Sequence, residues 1–374
     1  LGHRHGAGRR HQAMTKPLPE RLAERIAARG PLTLAEFWNA ALFDPVDGYY
    51  TSRRPFGAEG DFITAPDVSQ MFGELVGAWL VAAWRALGSP SPFALAEIGP
   101  GCGTLMADIL RTVRQLDTGF SRAAQVHLIE VSDRLAGIQH ERLSGFDLPL
   151  RRHRSIAELP AMPLLAVANE LFDAIAIRQF VHDGVGLRER LVATAPGGGF
   201  RFVEGPAGQI SMPAHLPPPR AGDILEVSPD RQRLAAHLGA MLAQRGGAFL
   251  CFDYGHARSG YGDTLQAMRS HAFADPLAQP GLHDITSHVD FADLAQIMRQ
   301  AGAIVSPIVT QGQFLLALGL AERAGALGAT RDEAGRAEIA SQAHRLAGTG
   351  PGEMGDLFKV VAAGSAALPL PPFD

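Results

Sequence analysis

The chain has 374 residues, 46% of them hydrophobic and 19% charged, with a formal net charge of −4. This fits one elaborated α/β domain or a few smaller ones, and it gives no global basic field of the kind that gathers nucleic acid. Two cysteines far apart, Cys102 and Cys251, argue against a disulfide framework, and no apolar run reaches the roughly 18–20 residues of a membrane span.

Residues 1–13 are basic and rich in His and Gly, and they read as a disordered extension. An Arg-rich, acid-poor leader also suits a mitochondrial presequence, but this one has no amphipathic apolar face. Residues 14–90 then form a helical and loop region. Periodicity predicts helices over Leu18–Arg29 and Thr33–Leu42, with Thr33 and Glu36 as a capping box. The stretch Asp44–Pro66 is irregular and rich in Gly and aromatic residues, which predicts a long functional loop. A helix over Ser69–Leu87 follows, stopped by Gly88-Ser89-Pro90.

Residues 91–374 alternate strand and helix. Strands are expected at Phe93–Ile98, Gln125–Glu130, Pro163–Ala168 and Ala248–Asp253, with helices at Thr104–Leu116, Ser132–Leu143 and Pro229–Ala243. Helix Phe291–Gln300, strand Ala303–Val309, helix Gln313–Ala324 and a last strand at Asp356–Ala362 complete the pattern. The βαβ rhythm predicts a Rossmann-like α/β sheet, parallel and covered on both faces. Insertions are expected at about 175–220 and 255–290. The first reads as antiparallel, because the period between Ile177 and Val203 switches towards two.

The segment Glu97-Ile98-Gly99-Pro100-Gly101-Cys102-Gly103-Thr104 lies between a strand and a helix, the context in which glycine spacing carries meaning. Counted from Gly99, the third glycine comes one residue too early for the dinucleotide fingerprint, and Thr104 stands in its place. The tighter turn suits the methionine and ribose parts of S-adenosylmethionine, with Glu97 holding the turn or approaching the cofactor's amino group. Glu130 ends the next strand, where an acid can accept both ribose hydroxyls. Two more polar groups stand at strand ends: Asn169-Glu170-Leu171-Phe172-Asp173, and Cys251-Phe252-Asp253-Tyr254-Gly255-His256. In a parallel sheet these ends share one edge, so their acids converge.

These residues resemble the MidA-like family of class I methyltransferases, bacterial and mitochondrial proteins related to an arginine methyltransferase of respiratory complex I assembly. The resemblance rests on Gly60–Thr64, Ser69–Glu74, Glu97–Asp108, Asn169–Ala174, Arg188–Val192, Asp253–Gly255, Asp284–Phe291 and Gln311–Leu318. It implies that Gly99, Gly101 and Gly103 line S-adenosylmethionine, with Glu130 on the ribose. It places Asp61 and Thr64 over the cofactor, so that the region 14–90 covers the site, and Asn169 and Glu170 on the methyl and acceptor side. Cys102, Ile175-Ala176 and Leu187 depart from the family's pattern. The implied acceptor is an arginine of a protein, a subunit of a complex I-type NADH-quinone oxidoreductase. The implied compartment is a bacterial cytoplasm, with the mitochondrial matrix as the alternative. Oligomeric state stays open, a homodimer included.

A guanidinium is a poor nucleophile while charged and solvated. Glu170 and Asp173 are expected to orient it, with Asp253 and His256 in secondary roles. The scattered histidines His271, His283 and His288 lack ligand spacing, so no metal is expected. Two other readings compete: a Rossmann oxidoreductase using NAD, and an assembly chaperone that binds the cofactor without turnover.

Overall fold

The computed structural model describes residues 16–52, 63–208, 210, 216–269 and 272–374. Asp61, Gly60, Phe62 and His271 lie outside the described residues.

The N-terminal region contains α1 (Leu18–Arg29), a short β1 (Leu32–Thr33), α2 (Leu34–Phe43), α3 (Tyr49–Ser52), α4 (Ala65–Val68) and α5 (Gln70–Ala86). The capping box at Thr33 and Glu36 is present and starts α2. Where a continuous loop was expected over Asp44–Pro66, α3 and α4 form single turns of helix. Pro66 sits inside the first turn of α4, where its missing N–H costs nothing.

The α/β pattern follows as β2 (Phe93–Ile98), α6 (Thr104–Leu116), α7 (Thr118–Ala123), β3 (Ala124–Ile129), α8 (Asp133–Leu143), β4 (Leu150–His153) and β5 (Leu164–Asn169). Next come β6 (Arg178–His182), β7 (Leu187–Thr194), β8 (Phe200–Ala207), β9 (Ile224–Val227), α9 (Pro229–Arg245) and β10 (Gly247–His256). A small sheet of β11 (Gln266–Arg269), β12 (Ala272–Ala274) and β13 (Asp284–Thr286) precedes β14 (Val289–Asp290) and α10 (Phe291–Gln300). The chain closes with β15 (Ile304–Val305), β16 (Val309–Thr310), α11 (Gln311–Ala317), α12 (Leu320–Gly328), α13 (Glu333–Ala347) and β17 (Phe358–Gly364).

The central sheet runs β15-β17-β10-β5-β2-β3-β4. From β10 to β4 all pairs are parallel, and β17 is antiparallel to β10. The register aligns Ile98 with Ile129 and Asn169 with Phe252, so the carboxyl ends of the strands form one edge. Side chains alternate across the sheet as a strand's period of two requires. Leu95, Val126, Leu165 and Leu250 pack under α5, α6 and α11, while Ala96, Ile129, Ala166 and Cys251 pack under α9 and α10. The sheet is therefore buried on both faces, as the unbroken apolar runs require.

Two elements differ from the sequence expectation. Ala303–Val309 is not one strand: Ser306-Pro307 separates β15 from β16, since proline cannot donate to the ladder. Gln313–Ala324 is not one helix: Gly319, at φ +91°, ends α11 and starts α12. The antiparallel sheet around β6–β8 also recruits β1 and β9 from outside 175–220.

Helices α5 and α6 cross at Gly73 and Gly77. A Cβ on Gly73 would lie 2.4 Å from the Cβ of Asp108. Gly73→Ala is therefore expected to lower stability by about 1–3 kcal/mol, the usual cost of overpacking. The denaturant midpoint checks this, and an unchanged midpoint would show that α5 can shift.

Candidate active site

The glycine turn leaves β2 with Gly99, Gly101 and Gly103 at φ +70°, +50° and +77°, a backbone region that side-chain-bearing residues rarely enter. Gly103 is the N-cap of α6 and has no side chain to offer its free amides. Glu97 fills that role from the strand, its carboxyl accepting the backbone N–H of Met106. Glu97 is 2% exposed, and its Oε2 meets no partner among the described residues. Burial, with the nearby Asp108 carboxyl adding to it, pushes Glu97 up to about 8.

Glu130 follows β3 and is buried. Its Oε1 accepts the Ser132 N–H at 2.7 Å, and its Oε2 accepts from Gln139 Nε2 at 3.0 Å. Gln139 Nε2 also donates to the Gly101 carbonyl at 2.7 Å, tying the glycine turn to the acid. Gln139 Oε1 is buried and meets no partner among the described residues. The sequence reading missed Gln139, although a glutamine on the buried face of α8 was a signal.

Thr64 and Thr104 meet through Asp67. Thr64 Oγ1 donates to Asp67 Oδ2 at 2.9 Å, Thr104 Oγ1 donates to Asp67 Oδ1 at 3.3 Å, and Arg142 donates to Thr104. This latch holds α4 against the first turn of α6.

On the other side, β5 runs into Asn169 and Glu170. Glu170 sits at φ +51°, in the left-handed region, and its N–H donates to the Phe252 carbonyl at 3.0 Å. Strain of this kind at a strand end is characteristic of working sites. Asn169 Nδ2 donates to Glu170 Oε1 at 3.1 Å, leaving Asn169 Oδ1 buried with no partner among the described residues. Burial, then the Asp173 carboxyl, pushes Glu170 up to about 8.

Asp173 is buried, and its Oδ2 accepts the Tyr254 hydroxyl at 2.8 Å. Its Oδ1 is a further buried acceptor with no partner among the described residues. Burial raises the Asp173 pKa, against the pull of the Tyr254 hydroxyl and the Arg231 charge. Arg231, another residue the sequence reading missed, is spent on neutral oxygens. It donates to the carbonyls of Asp173, Ile175 and His288 and to Ser287 Oγ. It thus staples the segment after Glu170 to the segment before β14.

Asp253 and His256 hold different places from Glu170 and Asp173. Asp253 was expected to assist catalysis, but it is fully buried, and its Oδ2 accepts the N–H groups of Phe172 and Asp173 at 2.9 and 3.2 Å. It caps the Glu170 turn from behind. His256 lies with its Nε2 3.8 Å from Asp290 Oδ2 and lines a cavity of about 320 Å³ that it shares with Arg231, His288 and Asp290. Neither Glu170 nor Asp173 lines that cavity. Among the described residues, no group of three or more His, Cys, Asp or Glu side chains is placed to hold a metal ion.

Residues 75–309 match the family described as "Putative S-adenosyl-L-methionine-dependent methyltransferase". The chain belongs to this methyltransferase family. It is 34% identical over 373 residues to the zebrafish (Danio rerio) mitochondrial protein arginine methyltransferase NDUFAF7, covering 93% of this chain and 86% of that protein. The mouse (Mus musculus) protein of the same name is also 34% identical, with 92% and 84% covered. A crystal structure from Burkholderia thailandensis bound to S-adenosyl-homocysteine superposes with a TM-score of 0.82 at 27% identity, covering 93% of this chain and 91% of that one. The chain is an S-adenosylmethionine-dependent methyltransferase with the Rossmann-like class I fold.

The residues present fit that cofactor. Glu97 Oε2 and Gln139 Oε1 are buried acceptors beside the glycine turn. S-adenosylmethionine offers matching donors in its ammonium group and ribose hydroxyls.

Proposed function

We propose that the methyl acceptor is an arginine side chain of a protein. The observation that supports this most directly is the set of buried oxygens beyond the cofactor edge. Asn169 Oδ1 and Asp173 Oδ1 are acceptors with no donor among the described residues, and the Glu170 carboxyl stands beside them. A guanidinium is a donor-only group with five N–H bonds, the complement of such a set. The relatives named as protein arginine methyltransferases favour the same acceptor. The family resemblance extends it to a complex I-type subunit, so that the chain would act where such a subunit is made, a bacterial cytoplasm or a mitochondrial matrix.

When bound, S-adenosylmethionine supplies a methyl group on a sulfonium. The glycine turn, Glu97, Glu130 and Thr104 would hold it, with Thr64 above and Asn169 on the methyl side, facing the acceptor. Glu170 and Asp173 would orient the guanidinium and draw its charge away from the attacking nitrogen. One of them would take the proton that nitrogen loses.

Glu170→Gln is expected to leave cofactor affinity within about threefold and to reduce methyl transfer by about 10²–10⁴-fold, the usual weight of a positioned acid or base. Because Glu170 is raised to about 8, its carboxylate form grows as pH rises. At saturating cofactor, kcat/KM for the acceptor should climb through about pH 8 in the native enzyme, and Glu170→Gln should lack that limb. A variant with native turnover would exclude the role.

A further inference from the structure

The cavity of about 320 Å³ beside His256 is lined by none of the groups assigned to the cofactor or to methyl transfer. It lies along the same edge of the sheet as Glu170. The register sets Phe252 of β10 beside Asn169, and β10 then runs on to His256, about 13 Å further at the rise of a strand. His256 in turn pairs with Asp290 of β14. Arg231 joins the two places: it lines the cavity and donates to the carbonyls of Asp173 and His288 at 3.1 and 2.9 Å.

The acids on the cavity wall are Glu226, Asp290 and Asp293, and each is already engaged. Glu226 accepts from Gln179 Nε2 at 2.7 Å and from the N–H and hydroxyl of Thr264 at 2.9 and 2.5 Å. Asp290 Oδ1 accepts the Asp293 N–H at 3.0 Å, and its Oδ2 faces His256. Asp293 Oδ2 accepts from Gln232 Nε2 at 3.0 Å. The donors on the same wall are less committed. The Arg258 guanidinium, exposed at the rim, has no hydrogen bond or ion pair among the described residues. The His288 ring meets Tyr254 edge-on at 5.7 Å, and its nitrogens have no hydrogen-bond partner among the described residues. Burial first, then the charges of His256, Lys359 and Arg231, keep that ring neutral, so it still has one N–H to give. The cavity therefore offers free donors in positive surroundings. Ile177, Leu225 and Leu294 add apolar wall that suits the methylenes of a side chain.

We infer that this cavity docks an acidic side chain of the acceptor protein, a carboxylate within about four residues of the arginine that is methylated. A segment that presents an arginine to Glu170 runs along this edge of the sheet. In extended form each residue advances about 3.3 Å, so a neighbour about four positions away comes level with His256. The planar fork of Arg258 takes a carboxylate through two parallel N–H bonds, and His288 supplies a third donor from inside. A lysine in the same place would meet donors and acids that are already engaged. The inference rests on the arginine reading above and adds a second point of recognition to it.

The test uses the full chain loaded with S-adenosyl-homocysteine and titrated with alanine-rich peptides that carry one arginine. A glutamate is moved stepwise along the peptide on either side of that arginine. At its best spacing the glutamate should tighten binding by about 10-fold over glutamine at the same place, the weight of one charge-assisted hydrogen bond. Arg258→Gln should cut that preference to about twofold or less. Arg258→Glu should reverse it, so that a lysine at the same spacing binds better. Both variants should bind S-adenosyl-homocysteine and the acid-free peptide within about twofold of native, and in methyl transfer the change should fall on the acceptor KM rather than on kcat. A native protein with no preferred spacing, or a glutamate preference undiminished in both variants, overturns the inference. The arginine reading is tested separately, by methylarginine in protein extract incubated with the native enzyme and S-adenosylmethionine. Methylarginine formed with the glutamate preference unchanged in the variants sinks the role of the cavity alone. No methylarginine sinks the underlying reading.

Discussion

Glu97→Gln should weaken cofactor binding by about 10–100-fold, the cost of losing a charge-assisted hydrogen bond, and yet stabilise the cofactor-free protein at pH 8. Glu97 is raised from an ordinary 4.5 to about 8 in the folded chain. Between those values the folded state holds a proton that the unfolded state has released. Stability therefore falls as pH rises from about 4.5 to about 8, and above 8 both states are ionised. Glutamine keeps the carbonyl that accepts the Met106 N–H and cannot ionise, so it removes this loss. Asp108, raised to about 6 chiefly by burial, shapes only the lower part of the same curve and remains in the variant. A cationic ammonium beside Glu97 favours the carboxylate, so cofactor binding should release a proton below pH 8 and tighten as pH rises. Thermal unfolding from pH 5 to 9, with calorimetric titration of S-adenosyl-homocysteine, reads both effects. Parallel pH–stability curves for variant and native protein would refute the account.

The cofactor side was legible because its signals are local. An apolar run, three glycines at alternate positions and an acid one strand further on all fall within Glu97–Glu130, and the parallel register then aligns the strand ends. The acceptor side was only half legible. Asn169 and Glu170 stand at a strand end, where polar residues are conspicuous. The contacts that shape the segment after them arrive from far along the chain: Asp253 meets Phe172 and Tyr254 meets Asp173, each across 81 positions. No periodicity carries such pairings. Arg231 looked like an ordinary first-turn arginine of α9, since nothing local shows that its guanidinium turns inward onto carbonyls. The two misread elements had local signals. Pro307 lay inside the expected strand and Gly319 inside the expected helix, and each breaks its element for the ordinary reason.

The second large effect is expected at Asp253, which touches no reacting group in this reading. Its Oδ2 accepts two backbone N–H groups, from Phe172 and Asp173, and its Oδ1 accepts the Tyr254 N–H at 2.9 Å. Burial, with the Asp173 and Glu170 carboxyls adding to it, raises its pKa, while these N–H donors and the Arg231 charge oppose the rise. Asp253→Ala strands buried amides and frees the turn that keeps Glu170 at a positive φ. Stability should fall by about 2–4 kcal/mol, since more than one buried donor is left unpaired. Methyl transfer should fall by about 100-fold or more, because displacing a positioned group by an ångström carries that cost. Cofactor affinity should change little, because the glycine turn and Glu130 belong to β2 and β3. Asp253→Asn separates a positioning role from a catalytic one. Its side-chain oxygen can still accept from the Phe172 and Asp173 amides, but its NH₂ then faces the Tyr254 N–H. Turnover should be partly restored relative to alanine, with the activity limb near pH 8 unchanged, because that limb belongs to Glu170. If Asp253→Asn removes the limb, Asp253 itself takes part in the proton transfer.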